Sequence, residues 1–583
     1  MALAHKKAPV RYRYVTEEKA DGATFTPRKL ASFVARQIVT NLRVTNGRAI
    51  RVLDPAVGEG ALLVSLLEEL HAHGLRDVDV EVHGFDTNPE SLSVAKEAIQ
   101  ARFPLVPIRF RAGDFLEYAE QFAKTLSLFD GGLPGEKSDV IIANPPYVRT
   151  QIMGATHAQS LASHFGLSGR VDLYHAFILG IIEVLEDNGV AGVIVSNRFM
   201  TTKSGSAVRK VLREAVLLKH VWDLGDTKLF DAAVLPAVVV FTKSESRAAA
   251  NPGFTSIYET DSAASCSARD VIAALAEPGA VSIEDGRRFQ VTHGSLDLST
   301  AVEEIWRVAT DKTDAWLKTV DDHTWRTFGE IGSIRVGIKT CADNVFIRSD
   351  WASIGERERP ELLRPLTTHH MGRRFKADAT KAGRQVLYPH LVNSGQREAA
   401  DLARYPAAAA YLEKHRSALE SRSYVLEAGR RWYEIWVPQD PGAWGHPKLV
   451  FRDICATPTF WIDLDGSVVN GDCYWLSQNP GMDIDLLWLA LAVANSSFIE
   501  AFYDHRFHNK LYAGRRRFIT QYVERFPLPD PSRAESKAMV DLARQIYDLT
   551  PSPATKNLES RLDGLVWQVF GVAQSKKSVG NGI

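Results

Sequence analysis

Four cysteines in 583 residues are few, and no two of them form a Cys-x-x-Cys pair. Cys266, Cys341, Cys455 and Cys473 are scattered. That argues against a zinc site, so no metal is expected, and it favours a reducing compartment such as the cytoplasm. Charge of one sign is missing as well. Lys and Arg number 69 against 70 Asp and Glu, a formal charge of −1. A nucleic-acid partner would have to be met by local basic patches, not by the field of the whole protein. No apolar run reaches ~18 residues, so no membrane-spanning helix is expected. Residues 1–15 are basic and aromatic without an apolar centre, so no signal peptide is expected there. No internal repeat stands out. With 45% hydrophobic residues the chain can bury substantial cores, and its length suggests about two or three domains.

What is present is concentrated at residues 144–147, Asn-Pro-Pro-Tyr, directly after the apolar strand pattern Asp139-Val140-Ile141-Ile142-Ala143. The exocyclic nitrogen of adenine is a poor nucleophile because its lone pair is delocalised into the ring. Two acceptors aimed at its two N–H bonds would draw that lone pair back. The Asn144 side-chain oxygen and the Pro145 carbonyl are such acceptors, and placed dipoles stabilise charge as it builds. Pro145 and Pro146 fix φ and stiffen the loop. Tyr147 offers a flat face for an extruded base. A plain turn after a strand is the alternative reading, because Asn-Pro pairs often open turns.

Upstream, Arg51 to Asp54 is an apolar strand running into Pro55-Ala56-Val57-Gly58-Glu59-Gly60. A helix follows, with Leu62, Leu63, Leu66, Leu67 and Leu70 at three- and four-residue spacing. Glycines at a strand-to-helix turn let backbone approach a ligand. The strand Val80–Asp86 ends on an acid before Thr87-Asn88-Pro89, which fits hydrogen bonding to ribose hydroxyls. A third strand, Ile108 to Arg111, leads to Gly113-Asp114-Phe115, an acid and an aromatic suited to an adenine ring. Each acid is alternatively a helix N-cap or a solvated loop charge.

The order Thr26-Pro27, Asp54-Pro-Ala-x-Gly-x-Gly60, Asp86, Asp114-Phe115 and Asn144-Pro-Pro-Tyr147 resembles the gamma-class, Taq-type DNA adenine-N6 methyltransferases of restriction–modification and related phage-defence systems. The resemblance implies S-adenosyl-L-methionine as cofactor. It places Thr26, with Pro27, near the methionine carboxylate and Asp54 along the methionine end. Ala56, Gly58 and Gly60 form the turn, Asp86 and Thr87 lie at the ribose, Asp114 and Phe115 at the adenine, and Asn144 adjoins the cofactor. It also implies a second aromatic beside the base, matched by Phe230 before the strand Val234 to Thr242; an ordinary core phenylalanine is the alternative there. The stretch Asp172 to Phe177 reads as the start of a helix packing behind the catalytic loop.

The expected fold is α/β: a seven-stranded Rossmann-like methyltransferase domain (1–250), a connecting region (251–315) where Ser, Ala, Asp and Gly rise, and a mixed α/β target-recognition domain (316–583) with a helical C-terminal end. Residues 148–170 are expected to be mobile and to order on DNA. Arg373 and Arg374, and Lys510 with Arg515, Arg516 and Arg517, form basic clusters interleaved with aromatics, and these are the expected contacts to double-stranded DNA. A solvated or salt-bridged basic surface is the competing account.

The function that follows is N6-methylation of a flipped adenine at a specific site in duplex DNA. Methylation of RNA or of a protein glutamine, and a non-catalytic DNA-specificity subunit, are the alternatives. The start of the cofactor motifs by about residue 24 leaves no room for a preceding nuclease, so a separate restriction endonuclease or defence-system partner is expected, with the chain itself a monomer.

Overall fold

A computed structural model describes residues 26–43, 48–128, 137–147, 164–165, 172–230, 235–244, 251–298, 306–381, 383–393, 395–507 and 515–574. Two compact units meet in the chain between Thr310 and Asp311.

The first unit is built on β1 (Ile50–Asp54), β2 (Val80–Asp86), β3 (Ile108–Ala112), β4 (Ser138–Ala143), β5 (Leu185–Ser196), β6 (Leu217–Asp223) and β7 (Pro236–Thr242), in the order β3-β2-β1-β4-β5-β7-β6. The first five strands run parallel, and β7 is antiparallel between β5 and β6. This is the expected Rossmann-like sheet. Val140, Ile141, Ile142 and Ala143 of β4 are all fully buried, as a parallel strand covered on both faces requires. Helices α1 (Arg28–Asn41), α2 (Ala61–Ala72) and α3 (Pro89–Gln100) cover one face; α4 (Phe115–Leu128) and α5 (Leu173–Val184) cover the other. The leucine spacing of α2 puts Leu62, Leu63, Leu66, Leu67 and Leu70 inside. Helix α3 starts as its sequence directs: Asn88 accepts from the Glu90 N–H at 2.9 Å and Pro89 takes the first helical position.

Residues 251–315 are not a connecting region. They form β8 (Gly253–Glu259), β9 (Cys266–Ala268), β10 (Gly279–Ile283), β11 (Arg288–Asp297) and β12 (Arg307–Ala309), which carry the sheet on from β6 to twelve strands. Strand β8 pairs parallel with β6 and antiparallel with β11. The physical reason the sequence hides them is composition. Gly253-Phe-Thr-Ser-Ile-Tyr-Glu259 buries Thr255 and Ser256 as well as Phe254 and Ile257, so no clean polar–apolar alternation appears.

The second unit holds a five-stranded sheet, Gly332–Val336, Cys473–Gln478, Lys448–Arg452, Phe460–Asp463 and Phe375–Lys376, and a four-stranded sheet that includes Leu363–Thr367 and Gln385–Leu387. Four tryptophans, Trp351, Trp444, Trp461 and Trp475, are buried in its core. Helices Ala534–Leu549 and Thr555–Val569 close the described C-terminal part. Among the described residues no single helix is long and apolar enough to cross a membrane.

Candidate active site

Because β1 to β4 are parallel, the residues ending them gather at one edge of the sheet: Asp54, Asp86, Asp114 just past β3, and Asn144. The strand order reverses between β1 and β4, and ligands of open α/β sheets bind at that switch point.

Asp54 is fully buried at the end of β1. One of its oxygens accepts from the Ala56 N–H at 2.9 Å; the other, Oδ2, is buried without a hydrogen-bond partner. Burial pushes this carboxyl up to about 7, against the Ala56 bond that lowers it and with the nearby Asp86 charge adding to the rise. Past Asp54 the chain turns through Gly58 (φ +50°) and Gly60 (φ +82°). A Cβ at Gly58 would meet nothing within 4 Å, so the turn borders open space; one at Gly60 would press on Ala95 of α3 at 3.0 Å. The Asp86 carboxylate shapes the same turn, accepting from the Gly58 N–H and the Asn88 N–H, each at 2.8 Å. Thr87 is exposed beside it. Asp114 accepts from the Leu116 N–H at 2.8 Å at the start of α4. Phe115 is almost wholly buried, with ring centroids 5.8 Å from Phe85 and 5.6 Å from Phe177, so it sits within the core rather than as an open face.

An orphaned carboxylate oxygen beside a glycine turn that opens onto free space fits a ligand that brings a cation or hydrogen-bond donors. The residues at this edge therefore suit a charged nucleoside-type cofactor.

At the end of β4, the Asn144 amide N–H donates to Thr26 Oγ1 at 3.0 Å, and the Tyr147 hydroxyl donates to Asn144 Oδ1 at 3.1 Å. Thr26 thus fixes which way the amide faces. Its oxygen is turned to the Tyr147 side, where a base stacked on that ring would present its amino group. Thr26 and Asn144 are 118 positions apart, and no sequence spacing reveals the bond. Pro145 is buried, while Pro146 and Tyr147 are half-buried. The Tyr147 ring lies 6.4 Å from Tyr174 and 6.5 Å from Phe230, at 60° to the latter. Burial raises the Tyr147 hydroxyl pKa, so it stays a neutral donor. Phe230 belongs to the core cluster around Leu224 and Ile257, and its ring also neighbours Tyr147. Pro27 sets the start of α1, its carbonyl accepting from Leu30 and Ala31.

Thr26→Ala is expected to lower kcat about 10-fold, because an acceptor left free to rotate is no longer preorganised. Thr26→Ser, which keeps the hydroxyl, is expected to stay close to the parent. Steady-state kinetics on both variants check this; equal losses would place the role of Thr26 elsewhere.

In the second unit the basic clusters separate by exposure. Arg515 is exposed. Arg516 is buried, its guanidinium 2.8 Å from both Asp504 oxygens and 2.9 Å from the Ala456 carbonyl. It is therefore committed to the fold and is not presented to a phosphate, contrary to the expectation for it. Arg517 pairs with Asp453 at 3.1 Å, Arg373 with Asp378 at 2.9 Å, and Arg374 with Glu559 at 3.1 Å and with the Asn495 carbonyl. Alternation along a two-residue strand, Arg516–Arg517, sends neighbouring arginines to opposite sides. Lys510 and nearly all of 148–170 lie outside the described residues. Arg516→Ala should cost about 3–5 kcal/mol of stability, as removing one partner of a buried ion pair does. Arg515→Ala should leave the melting temperature unchanged. Thermal unfolding of the two variants separates the roles.

Fold and site together define a Rossmann-like methyltransferase. The comparisons narrow the class. A family model described as "N-6 DNA Methylase" matches residues 11–264. The Type II methyltransferase M.BanIII of Aneurinibacillus aneurinilyticus is 35% identical over 95% of this chain and 98% of its own length. The Type II methyltransferase M.XhoI of Xanthomonas vasicola is 24% identical over 87% and 91%. Among solved structures, the Type IIL restriction–modification enzyme MmeI in complex with DNA shares the fold at a TM-score of 0.57 and 13% identity, over 94% of this chain and 73% of that one. The chain belongs to the N-6 DNA methylases, the adenine-specific DNA methyltransferases of restriction–modification systems.

Proposed function

We propose that the chain transfers a methyl group from S-adenosyl-L-methionine to the N6 amino group of an adenine rotated out of duplex DNA, at one recognition sequence. The observation that carries this is the Thr26–Asn144–Tyr147 arrangement. It holds the amide oxygen in one orientation, beside the Tyr147 hydroxyl, at the sheet edge assigned in this reading to the cofactor. The cofactor, when bound, supplies an electrophilic methyl group on a positively charged sulfur.

The residues do the rest. Asp54 and the Ala56–Gly60 turn would hold the methionine end, with Thr26 and Pro27 close by; Asp86 and Thr87 would hold the ribose; Asp114, with Phe115 behind it, would hold the adenine. Extruding the target base costs a few kcal/mol. Tyr147 recovers part of that by stacking, with Phe230 on the edge or the opposite face of the base. Asn144 Oδ1 and the Pro145 carbonyl accept the two amino hydrogens, which localises the lone pair on nitrogen and stabilises the positive charge that develops there. Pro145 and Pro146 keep both acceptors in place. The amino proton leaves after transfer, so positioning and electrostatics suffice without a strong base.

The second unit acts in this account as the target-recognition domain. Arg515 meets phosphates together with Lys510, while Arg373, Arg374 and Arg517, each paired with an acid, hold the loops that present them. The enzyme works as a monomer and protects host DNA from a separate cognate endonuclease. The direct test is transfer of labelled methyl groups to duplex DNA, RNA and protein offered in parallel. Label entering only DNA, and recovered as N6-methyladenine, is expected; label entering RNA or protein instead would overturn the reading.

A further inference from the structure

The loop 224–230 that brings Phe230 to Tyr147 is held from the far side by the strands that extend the sheet. Asp223, at the end of β6, is fully buried and accepts three hydrogen bonds: from the Tyr258 hydroxyl of β8 at 2.6 Å, from the Asn197 amide at 3.0 Å and from the Gly225 N–H at 3.1 Å. Asn197 lies just past β5 and also donates to the Tyr258 oxygen at 3.2 Å. Gly225 takes φ +48°, and a Cβ there would meet the Ile257 carbonyl at 2.2 Å, so loop and β8 are in direct backbone contact. One residue on, the Asp226 carboxylate accepts from the Glu259 N–H at 2.8 Å. The Arg287 guanidinium, braced by Asp285 and lying 5.2 Å over the Phe289 ring, donates to the Thr227 carbonyl at 2.8 Å. The loop is therefore anchored at Asp223, Gly225, Asp226 and Thr227, within the five residues before Lys228-Leu229-Phe230. These anchoring groups are distinct from the residues assigned to the cofactor, Asp54, Asp86 and Asp114. A buried carboxylate with three donors aimed at it is more apparatus than a simple turn needs.

We propose that Tyr258 and Arg287 are positioning residues for Phe230, and that the strand extension serves to set the width of the slot between Phe230 and Tyr147 into which the target base inserts. The proposal rests on the reading of that slot as the base site. A shift of the loop widens the slot, so the base stacks less tightly and its amino group drifts from Asn144. Affinity for the cofactor is untouched, because Asp54, Asp86 and Asp114 lie on other strands.

The test is a double-mutant cycle on the full chain, with kcat measured on duplex DNA carrying the recognition sequence. Arg287→Ala and Tyr258→Phe are each expected to lower kcat about 10-fold with cofactor affinity unchanged, the scale of a misplaced substrate. Arg287→Lys, which keeps a donor for Thr227, is expected to recover most of that loss. In a Phe230→Ala background the further loss from Arg287→Ala should shrink to below about 2-fold, since residues acting through a shared partner are not additive. A duplex with 2-aminopurine at the target position supplies a second readout, its emission differing between parent and Arg287→Ala when the base is held differently. Additive losses with identical emission would overturn the proposal. A parent enzyme that leaves adenine unmethylated would instead overturn the reading of the site.

Discussion

Replacing Asn144 with Ala is expected to lower kcat by at least about 10²–10³-fold, the loss seen when one preorganised group is removed from a site that stabilises developing charge. Cofactor binding should stay measurable, because the carboxylates that would hold it lie on β1, β2 and past β3 rather than on the Asn144 loop. Two features make the effect large. The amide is not a freely rotating surface group: Thr26 accepts from its nitrogen and Tyr147 donates to its oxygen. The Tyr147 hydroxyl also shows that Oδ1 is placed to accept a donor on that side, where the proposed mechanism brings the amino group of a stacked base. Isothermal titration with the cofactor and a single-turnover methyl-transfer assay on the same preparation separate binding from chemistry. An Asn144→Ala enzyme near full activity would remove the mechanism.

Asp54→Asn is expected to move stability and cofactor affinity in opposite directions. The free carboxyl titrates near 3.8 when exposed and about 7 in the folded protein, with burial the main cause. Between those values the folded chain keeps a proton that the unfolded chain has lost. Stability therefore falls as pH rises from about 4 to about 7 and stays at the lower level above it. A displacement of this size corresponds to about 4 kcal/mol. At pH 8 Asn should lift that penalty, still accept from the Ala56 N–H, and raise the melting temperature, and the decline of stability between pH 4 and 7 should flatten. The proposed cofactor, S-adenosyl-L-methionine, carries positive charge and favours the ionised carboxylate, so its affinity for the parent should strengthen as pH rises through about 7. In Asp54→Asn that dependence should vanish and affinity should drop about 10–100-fold, the scale of a lost charged hydrogen bond. Thermal unfolding and cofactor titration at pH 6, 7 and 8 check both halves. A variant with unchanged stability and unchanged affinity would show that Asp54 is neither strained nor used.

The two halves of the first unit differ in how openly the sequence displays them. Strands β1 to β7 alternate with helices whose apolar spacing is plain, and their ends carry the acids and the Asn-Pro-Pro-Tyr loop, so both the sheet and its ligand edge follow from pattern. Strand β8, which joins the extension to β6, buries Thr255 and Ser256 beside Phe254 and Ile257, and that breaks the alternation that marks a strand. The extension reads as a linker for that reason. The Thr26–Asn144 bond joins groups far apart in sequence, and only the folded sheet brings them together. Phe115 looked like a ligand face because an aromatic follows an acid, yet the helix starting there turns its ring inward against Phe85 and Phe177. The basic run 515–517 looked like one patch. Strand geometry divides it into an exposed Arg515, a buried Arg516 bound to Asp504 and an Arg517 paired with Asp453.

The central claim is site-specific methylation of adenine in DNA. The measurement that tests it most directly is single-molecule sequencing of the genome of a host that lacks adenine methylation and expresses this chain. N6-methyladenine at one recurrent motif, absent when Asn144→Ala is expressed instead, is the predicted result. A genome free of modified adenine, from cells holding folded protein that binds the cofactor, would contradict it.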